Sequence, residues 1–403
     1  MRAVLAGLFW LLPLLANAQA ALSGTVLDSL THQPLPFASV FLATTTLGTT
    51  TNEQGTFVLE RVPAGSYELV ASYVGYRLAR HPVVISYAPQ RLVLTLALEA
   101  NQLDEVVVRA RRRHVNQSAD YQRFVELFLG RTSFSRQCRI RNPQALVVDY
   151  DLKSTKLTAS ATDFVQVDNL ALGYRLKYYG LHFTASFAQQ FMSFYGQPVF
   201  EALVPRNEQQ QRRWAANRQA AYHGSLTHFL RSVHEGRVAD EGFLAQKLRV
   251  VPNPQFARAD SLRQRLLRQP RRAALAPAEP DSLAKWKQVL PNMQLLYTAA
   301  RPLDSLRRVE PDGRIWLRFR DYLRVTYLRE APDPLYPVPA APAGGLAATP
   351  ARQQVSRLEL LVPEVELQPG GRLANPLALF TEEYWGFEKI GEFLPLNYDP
   401  SHP

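Results

Sequence analysis

The sequence contains a single cysteine, Cys138, among 403 residues. One cysteine cannot form an internal disulfide, so burial of apolar surface has to stabilise the fold, and the length of the chain makes a large core possible. No cysteine follows the apolar N-terminal segment, which excludes a lipid anchor attached to an N-terminal cysteine of the processed chain. We expect Cys138 to be a small buried apolar residue rather than a reactive thiol.

The usual catalytic motifs are missing as well. No histidine lies two residues before a glutamate, and no two histidines lie one helical turn apart beside a glutamate, as zinc peptidases require. The chain also lacks the Gly-x-Ser-x-Gly elbow and the glycine-rich phosphate loops. We therefore expect no cofactor, no metal and no catalytic residue.

Long apolar runs are limited to residues 4–15, about a dozen residues, whereas a spanning helix needs about 20. Arg2 precedes this run, and Ala16, Ala18 and Ala20 follow it, which is the layout of a signal peptide over residues 1–20. The expected location is the periplasm or the outer membrane, with secretion left open. No transmembrane segment is expected after cleavage.

Acidic residues are fewer than basic ones, with 35 Asp and Glu against 46 Lys and Arg. This excess favours anionic neighbours. Nucleic acid is not expected after export, so the candidate partners are lipopolysaccharide phosphates, acidic glycans, or an outer-membrane protein. The alternative is that the arginines only make the surface soluble.

Short alternating segments separated by turns follow the N-terminal segment. The turn Asn52–Gly55 supplies an Asn start and a Gly that tolerates positive φ, and Pro63–Gly65 makes the next reversal. Such segments predict the short strands of a β-sandwich. The predicted strands are Leu22–Leu27, Ala38–Leu42, Gly55–Leu59, Tyr67–Tyr73, Val83–Ser86 and Leu92–Leu98.

The same region resembles the carboxypeptidase regulatory-like domain, a transthyretin-like sandwich of seven strands. The similar segments are Gly24–Asp28, Pro34–Val40, Gly48–Phe57, Pro63–Tyr67 and Ser72–Tyr76. The resemblance implies a non-catalytic front module over residues 21–100. In Bacteroidetes this module also precedes outer-membrane receptors, but the remaining chain lacks the serial strands of a barrel.

After a predicted linker at residues 101–117, the pattern favours a mixed, β-rich α+β domain over 118–330. Its first helix is predicted to be capped by Ser118 and closed by Gly130, and a long helical stretch, Glu208–Val233, is predicted to break at Gly224 with Ser225 capping the second part. Further predicted elements are Leu146–Tyr150, Lys156–Ala161, Gly173–Phe187, Phe243–Val251, Arg258–Arg268 and two strands within Arg314–Leu328. A Pro- and Ala-rich insert at 331–354 and a C-terminal strand and tail at 355–403 complete the chain.

Three stretches of the second region are similar to uncharacterised secreted proteins of Bacteroidetes that carry the same front domain. They are Asn169–Tyr174, Tyr222–Arg231 and Tyr384–Lys389. The resemblance implies neighbours without a known activity.

The candidate ligand surface is the basic helical stretch, where arginines alternate with aromatic residues. Guanidinium groups and aromatic faces can together bind an anionic glycan. The residues of this surface are Arg213, Trp214, Arg218, His228 and Arg231. The alternative is that Trp214 and Tyr222 are core residues and that the arginines face water.

Two catalytic alternatives remain open. His223, His228 and Glu235 could approach one another if the helix breaks, although Arg231 would repel a cation. The carboxylates Glu382, Glu383 and Glu388 beside Tyr384 and Trp385 could form a glycosidase site. We expect a non-catalytic envelope protein acting in binding or assembly, with a hydrolase or an anionic glycan or lipopolysaccharide binder as alternatives.

Overall fold

The computed structural model describes residues 20–86, 88–99, 119–268, 289–337 and 352–402. The predicted signal peptide up to residue 19, the linker, the Ser118 cap and most of the Pro- and Ala-rich insert lie outside the described residues.

The described residues form strands and helices in the following order. The elements up to residue 202 are β1 (Ala20–Asp28), β2 (Ser39–Leu42), β3 (Gly48–Thr50), β4 (Thr56–Val62), β5 (Gly65–Ser72), β6 (Ala79–Ile85), β7 (Gln90–Leu96), α1 (Ala119–Leu129), β8 (Cys138–Ile140), β9 (Leu146–Asp151), β10 (Lys156–Ala161), β11 (Phe164–Asn169), β12 (Tyr174–Ser186) and β13 (Phe191–Ala202). The later elements are α2 (Glu208–Tyr222), α3 (Leu226–Glu235), β14 (Phe243–Pro252), α4 (Phe256–Arg268), β15 (Asn292–Ala300), β16 (Arg307–Val309), β17 (Ile315–Leu317), β18 (Tyr322–Tyr327), β19 (Gln354–Leu360), β20 (Val365–Gln368), β21 (Arg372–Leu373), β22 (Leu379–Glu383) and α5 (Tyr384–Phe387).

The front of the chain is a β-sandwich of seven strands, as predicted. One sheet has the order β4-β1-β7 and the other β3-β2-β5-β6, and β1 pairs with β7 in parallel. The predicted turn is formed by Asn52, whose Oδ1 accepts from the N–H groups of Gln54 and Thr56, and by Gly55 at φ 68°. Alternating residues of both sheets, such as Leu22 and Leu69, are fully buried between them.

The chain divides into two compact units, and the division differs from the predicted one. The first unit holds the sandwich together with Asn142–Gln166 and Leu176–Glu201, and the second holds the remaining described residues. The sequence assigns both of these segments to the second domain. Within the first unit, however, Phe41 of β2 packs on Tyr179 of β12 with ring centroids 4.8 Å apart, a contact between residues too distant in sequence to be seen in a local pattern.

The second unit is α+β and β-rich, as predicted. A five-stranded sheet of order β15-β14-β18-β19-β22 and a four-stranded sheet of order β16-β17-β20-β21 share one core with α3. Phe229 and Val233 of α3 and Leu358 of β19 are fully buried in this core. No helix among the described residues combines the length and the apolar character needed to cross a membrane.

Several strands of the second unit were not predicted. The sequence indicates one strand after residue 354, whereas the structure has β19 to β22, and β15 and β16 were also missed. Strands of two to five residues, such as β16 and β20 to β22, are too short to show alternation, so they become recognisable only through their partners. The length of β15, nine residues, does not explain why it was missed. The two strands predicted within Arg314–Leu328 are β17 and β18.

Candidate functional site

The predicted break in the long helical stretch separates α2 from α3. Gly224 lies at φ 77°, and the Oγ of Ser225 accepts from the N–H of His228 at 3.1 Å as the N-cap of α3. Trp385 Nε1 donates to the carbonyl oxygen of Gly224 at 2.7 Å. Ser225 is therefore a capping residue. The break after α2 is held in place by Trp385, which belongs to the stretch Tyr384–Lys389 named in the sequence analysis.

His228 is buried at 3% exposure and connects three segments of the second unit. Its Nδ1 accepts from the N–H of Gly224 at 3.2 Å, so Nε2 carries the proton and donates to Glu241 Oε2, also at 3.2 Å. Burial lowers the pKa of His228 to about 4. Glu235 is exposed and pairs with Arg237, so His228 and Glu235 do not form a joint site.

The basic face of α2 binds a turn of the same unit. Trp214 Nε1, Asn217 Nδ2 and Arg218 Nε donate to the carbonyl oxygens of three consecutive residues at 2.9, 2.7 and 2.7 Å. The acceptors are Leu170, Ala171 and Leu172. The stretch Asn169–Tyr174 is thus a structural turn. Its carbonyl oxygens accept hydrogen bonds from side chains that lie about one helical turn apart on α2.

Arg231 of α3 also has a structural role. Its guanidinium donates to the carbonyl oxygens of Gly370, Leu396 and Tyr398 at 2.9, 2.6 and 3.1 Å, and it lies over the ring of Tyr222. These bonds hold the C-terminal tail, and Tyr398 is buried. Each of the three guanidinium nitrogens of Arg231 therefore donates to a main-chain oxygen.

The five residues of the predicted ligand surface do not share one exposed face. Trp214 and His228 are buried, Arg218 and Arg231 donate to backbone carbonyls, and Arg213 is exposed on α2. The alternative that Trp214 and Tyr222 are core residues is confirmed. The part of that alternative in which every arginine faces water is wrong for Arg218 and Arg231, because main-chain acceptors lie within their reach.

Changing Arg231 to methionine is expected to lower the free energy of unfolding by about 2 kcal/mol, because three carbonyl oxygens lose a charged donor while the apolar stem is kept. Chemical denaturation measures the difference. Arg212→Met is the matched control. Arg212 is exposed and its single ion pair, with Glu208 at 3.8 Å, is long and solvated, so its loss is expected to change the free energy of unfolding by less than about 0.5 kcal/mol. Equal losses in the two variants would contradict the assignment.

The three carboxylates of the glycosidase alternative have different surroundings. Glu382 of β22 forms an ion pair with Arg357 of β19, while Glu383 is exposed at φ 62°. Burial raises the pKa of Glu388 well above its ordinary value, and the neighbouring Glu392 raises it further. Glu382 therefore already has a cationic partner, and Glu388 favours the neutral form.

Cys138 is buried, and burial raises the pKa of its thiol to about 12. The thiolate is therefore absent at neutral pH, as expected for a structural cysteine. No group of three or more His, Cys, Asp or Glu side chains suited to a metal ion is found in the part of the chain that the structure describes.

The sequence interpretation missed a cleft of about 760 Å³ in the second unit, which we call the basic cleft. It lies where β17 turns into β18 and where β19 ends. Four cationic side chains line it, together with two acidic and several apolar ones. The lining residues are Lys247, Arg301, Ser305, Arg318, Phe319, Arg320, Asp321, Tyr322, Glu359, Leu360, Leu361, Val362 and Pro363.

Of the two acidic side chains of the basic cleft, Asp321 is paired with a cation of the cleft. Asp321 Oδ2 lies 2.9 Å from Lys247 Nζ, and this hydrogen bond is the main reason that the pKa of Asp321 is lowered. Glu359 lies beside Tyr322 in the β18–β19 pair. The guanidinium groups of the cleft are therefore in excess over its carboxylates.

The three arginines of the basic cleft differ in their contacts. Arg318 reaches the carbonyl oxygen of Asp304 at 3.3 Å, and Arg320 is exposed with no ion-pair partner among the described residues. Arg301 has a buried Nε without a hydrogen-bond partner within the described ranges. An unpaired buried donor is rare in proteins. The terminal part of the same guanidinium reaches the carbonyl oxygen of Ser305 at 3.4 Å.

The sequence does carry one signal for the cleft. From Arg314 to Arg320 the basic residues stand at every second or fourth position, which in a strand would place them on one face. In the structure β17 ends at Leu317, so Arg318 and Arg320 lie in the loop that follows it. Lys247 and Arg301 are far from this segment in sequence, so their convergence with it depends on the sheet order.

Residues 22–108 match the family model described as the CarboxypepD_reg-like domain. This match confirms the predicted front module. No curated protein matches the chain.

Three solved structures give weak similarities. A cohesin–X-dockerin complex from Acetivibrio cellulolyticus matches at 18% identity over 19% of this chain and 56% of that chain, with a TM-score of 0.18. A DUF3823 family protein from Bacteroides uniformis matches at 9% identity over 86% of this chain and 98% of its own, with a TM-score of 0.16. A protein of unknown function from Bacteroides fragilis matches at 10% identity over 91% and 95%, with a TM-score of 0.18. The matched region spans little more than half of the cohesin–dockerin chain.

Proposed function

We propose that this protein is a non-catalytic binding protein of the bacterial envelope that holds an anionic ligand in the basic cleft. The observation that carries the proposal is the charge balance of the cleft. Four cations face two carboxylates, and Asp321 is already paired with Lys247, so three guanidinium groups remain for one carboxylate, Glu359. The remaining guanidinium groups have the fork geometry that suits phosphate, sulfate or carboxylate.

The non-catalytic part of the proposal is supported by the contacts of the candidate catalytic residues. His228 is held between Gly224 and Glu241, and Ser225 caps α3. Glu382 is paired with Arg357. Each of these side chains has a structural partner that a nucleophile or a proton-transfer group would have to give up.

The envelope part of the proposal rests on the sequence. Residues 1–20 have the layout of a signal peptide. The front module matches the CarboxypepD_reg-like domain, and three later stretches resemble secreted Bacteroidetes proteins that carry the same front domain. Recovery of the processed chain from the periplasm or outer membrane, with Gln19 or Ala21 as its new N-terminal residue, tests this part. A full-length chain retained in the cytoplasm would contradict it.

The cleft is tested with the variant Arg318→Gln/Arg320→Gln and glucose 6-phosphate as the probe. Because two charged donors are removed, binding measured by calorimetry is expected to weaken about tenfold or more, and wild-type binding is expected to weaken as salt is raised. Arg212→Gln/Arg213→Gln removes the same charge from exposed positions on α2 and is expected to leave binding unchanged.

An equal loss of binding in the two double variants would show diffuse attraction rather than a site in the cleft. Hydrolysis of a peptide, ester or glycan by the purified protein, abolished by Glu383→Gln or His228→Gln, would contradict the non-catalytic role.

A further inference from the structure

We infer that the ligand of the basic cleft is an anionic amphiphile, namely a phosphorylated lipid headgroup with the first part of its acyl chains. This inference rests on the proposed function, because it assumes that the cleft binds an anion. It adds that an apolar part of the ligand is bound at the same time.

The lining of the basic cleft is of two kinds. Its cationic groups come from the loop between β17 and β18, from Lys247 on β14, and from Arg301 just after β15. Its apolar groups are contributed by Phe319 and by the segment Leu360–Pro363, in which no side chain is polar. A ligand that fills the cleft therefore meets charge and apolar surface together.

The apolar segment is accessible to a ligand. Leu361 is 57% exposed, although its N–H is fixed by the carbonyl oxygen of Ala378 at 2.8 Å. Leu360 and Val362, on either side of it, are partly buried and pack against the core of the unit. Leu361 is thus presented to solvent from a backbone that is held on both sides.

The charged side of the cleft is also held in place. Asp321 adopts φ 62°, a conformation that non-glycine residues seldom adopt, and its carboxylate is tied to Lys247. The loop that carries Arg318 and Arg320 is therefore fixed at its last residue. Arg301 also lines the cleft, and its guanidinium reaches the carbonyl oxygen of Ser305 at 3.4 Å.

A purely hydrophilic anion fits this lining less well. The polar uncharged side chains that line the cleft are Ser305 and Tyr322, whereas five of its lining residues are apolar and would not bind the hydroxyl groups of a sugar. A sugar phosphate would leave Leu361 in water. The volume of about 760 Å³ lies within the usual range for small-molecule sites and suits a headgroup with short chain segments, but not a whole membrane lipid.

Calorimetry on the mature full-length protein with three probes tests the inference. Dihexanoylphosphatidic acid carries both features, glycerol 3-phosphate carries the headgroup alone, and dihexanoylphosphatidylcholine carries the same chains without net charge. We expect the phosphatidic acid to bind at least about tenfold more tightly than either other probe, since each buried methylene contributes about fourfold in affinity.

Variants separate the two halves of the site. Arg318→Gln/Arg320→Gln is expected to weaken phosphatidic acid and glycerol 3-phosphate alike. Leu361→Ser is expected to weaken phosphatidic acid about fivefold and to leave glycerol 3-phosphate unchanged. Leu328→Ser, at a similarly exposed leucine outside the cleft, is the control and is expected to change neither.

The outcomes distinguish the inference from the proposed function. Equal affinities for phosphatidic acid and glycerol 3-phosphate, both reduced in the double arginine variant, would overturn the amphiphile and keep the anion site. Equal affinities for phosphatidic acid and phosphatidylcholine would overturn the charged headgroup. If no probe, including glucose 6-phosphate, binds, both proposals fail.

Discussion

Replacing Gly173 by alanine is expected to lower the free energy of unfolding by about 4 kcal/mol. Gly173 lies at φ 70°, where an alanine is strained by about 1 to 2 kcal/mol. In addition, a Cβ at this position would lie under 3.0 Å from the indole ring of Trp214, which is buried on α2. Overpacking of this kind destabilises proteins by about 1 to 3 kcal/mol.

The indole of Trp214 cannot move away without further loss. Its Nε1 donates to Leu170, and Arg218 of the same helix donates to the carbonyl oxygens of Leu172 and Gly173. A shift of α2 that relieved the contact would therefore stretch several hydrogen bonds to the turn. The expected loss is larger than that of a substitution at the surface.

Gly313→Ala is the matched control, because Gly313 also has a positive φ of 87° but a Cβ there would meet nothing within 4 Å. It is expected to destabilise by about 1 kcal/mol, from backbone strain alone. Denaturation followed by tryptophan fluorescence reports on both variants, since Trp214, Trp316 and Trp385 all belong to the second unit. Similar losses in the two variants would show that contact with Trp214 is unimportant.

Local turn and capping chemistry could be predicted from the sequence because neighbouring residues determine it. Asn52 and Gly55 form their turn within four residues, and Ser225 caps α3 three residues ahead of His228. The grouping of residues 142–166 and 176–201 with the sandwich could not be predicted in this way. It depends on contacts such as that between Phe41 and Tyr179, which only the folded chain brings together.

The candidate site was predicted less well than the fold. The sequence shows that α2 and α3 carry arginine beside aromatic residues, but it does not show where the guanidinium groups are directed. In the structure Arg231 binds three carbonyl oxygens of the C-terminal tail, which lies more than a hundred residues away in sequence. The basic cleft gathers Lys247, Arg301 and Arg318 from separate strands and loops, so its charge excess is a property of the sheet order.

The pH dependence of stability is expected to contain two opposing contributions, from His228 and Glu392. Burial lowers the pKa of folded His228 from 6.5 to about 4, so between these pH values the unfolded chain binds the extra proton. Acidification through this window therefore destabilises the protein, by about 3 kcal/mol in total for this group. Above pH 6.5 the imidazole is neutral in both states and contributes no slope.

Glu392 acts in the other direction. Burial raises its pKa from 4.5 to about 7, so between these values the folded protein binds the extra proton. Raising the pH through this window destabilises the protein by about 3 kcal/mol, because the carboxylate must ionise in a poorly solvated site. Glu388 contributes with the same sign and is unchanged in the variants proposed below.

Each substitution removes one of the two contributions, so the pH dependence of the free energy of unfolding of that variant should show the contribution of the other group. In His228→Gln the destabilising effect of acid is lost, so on acidification from pH 6.5 to pH 4.5 the variant should gain stability relative to wild type. Glu392→Gln imitates the neutral acid at every pH, so over the same range it should lose stability relative to wild type. The difference between the two variants should be about 4 kcal/mol across this window, since each group contributes about 2 kcal/mol to it.

Urea denaturation at a series of pH values measures these slopes, and the double variant His228→Gln/Glu392→Gln provides the control. Because both titrations are removed, its dependence should be the sum of the two single changes, as expected for groups without a shared partner. Parallel curves for wild type and both single variants would show that neither group has the shifted pKa. If the slope changes only in His228→Gln, the pKa of His228, which is bonded to Gly224 and Glu241, is shifted by burial, and the pKa of Glu392 is not.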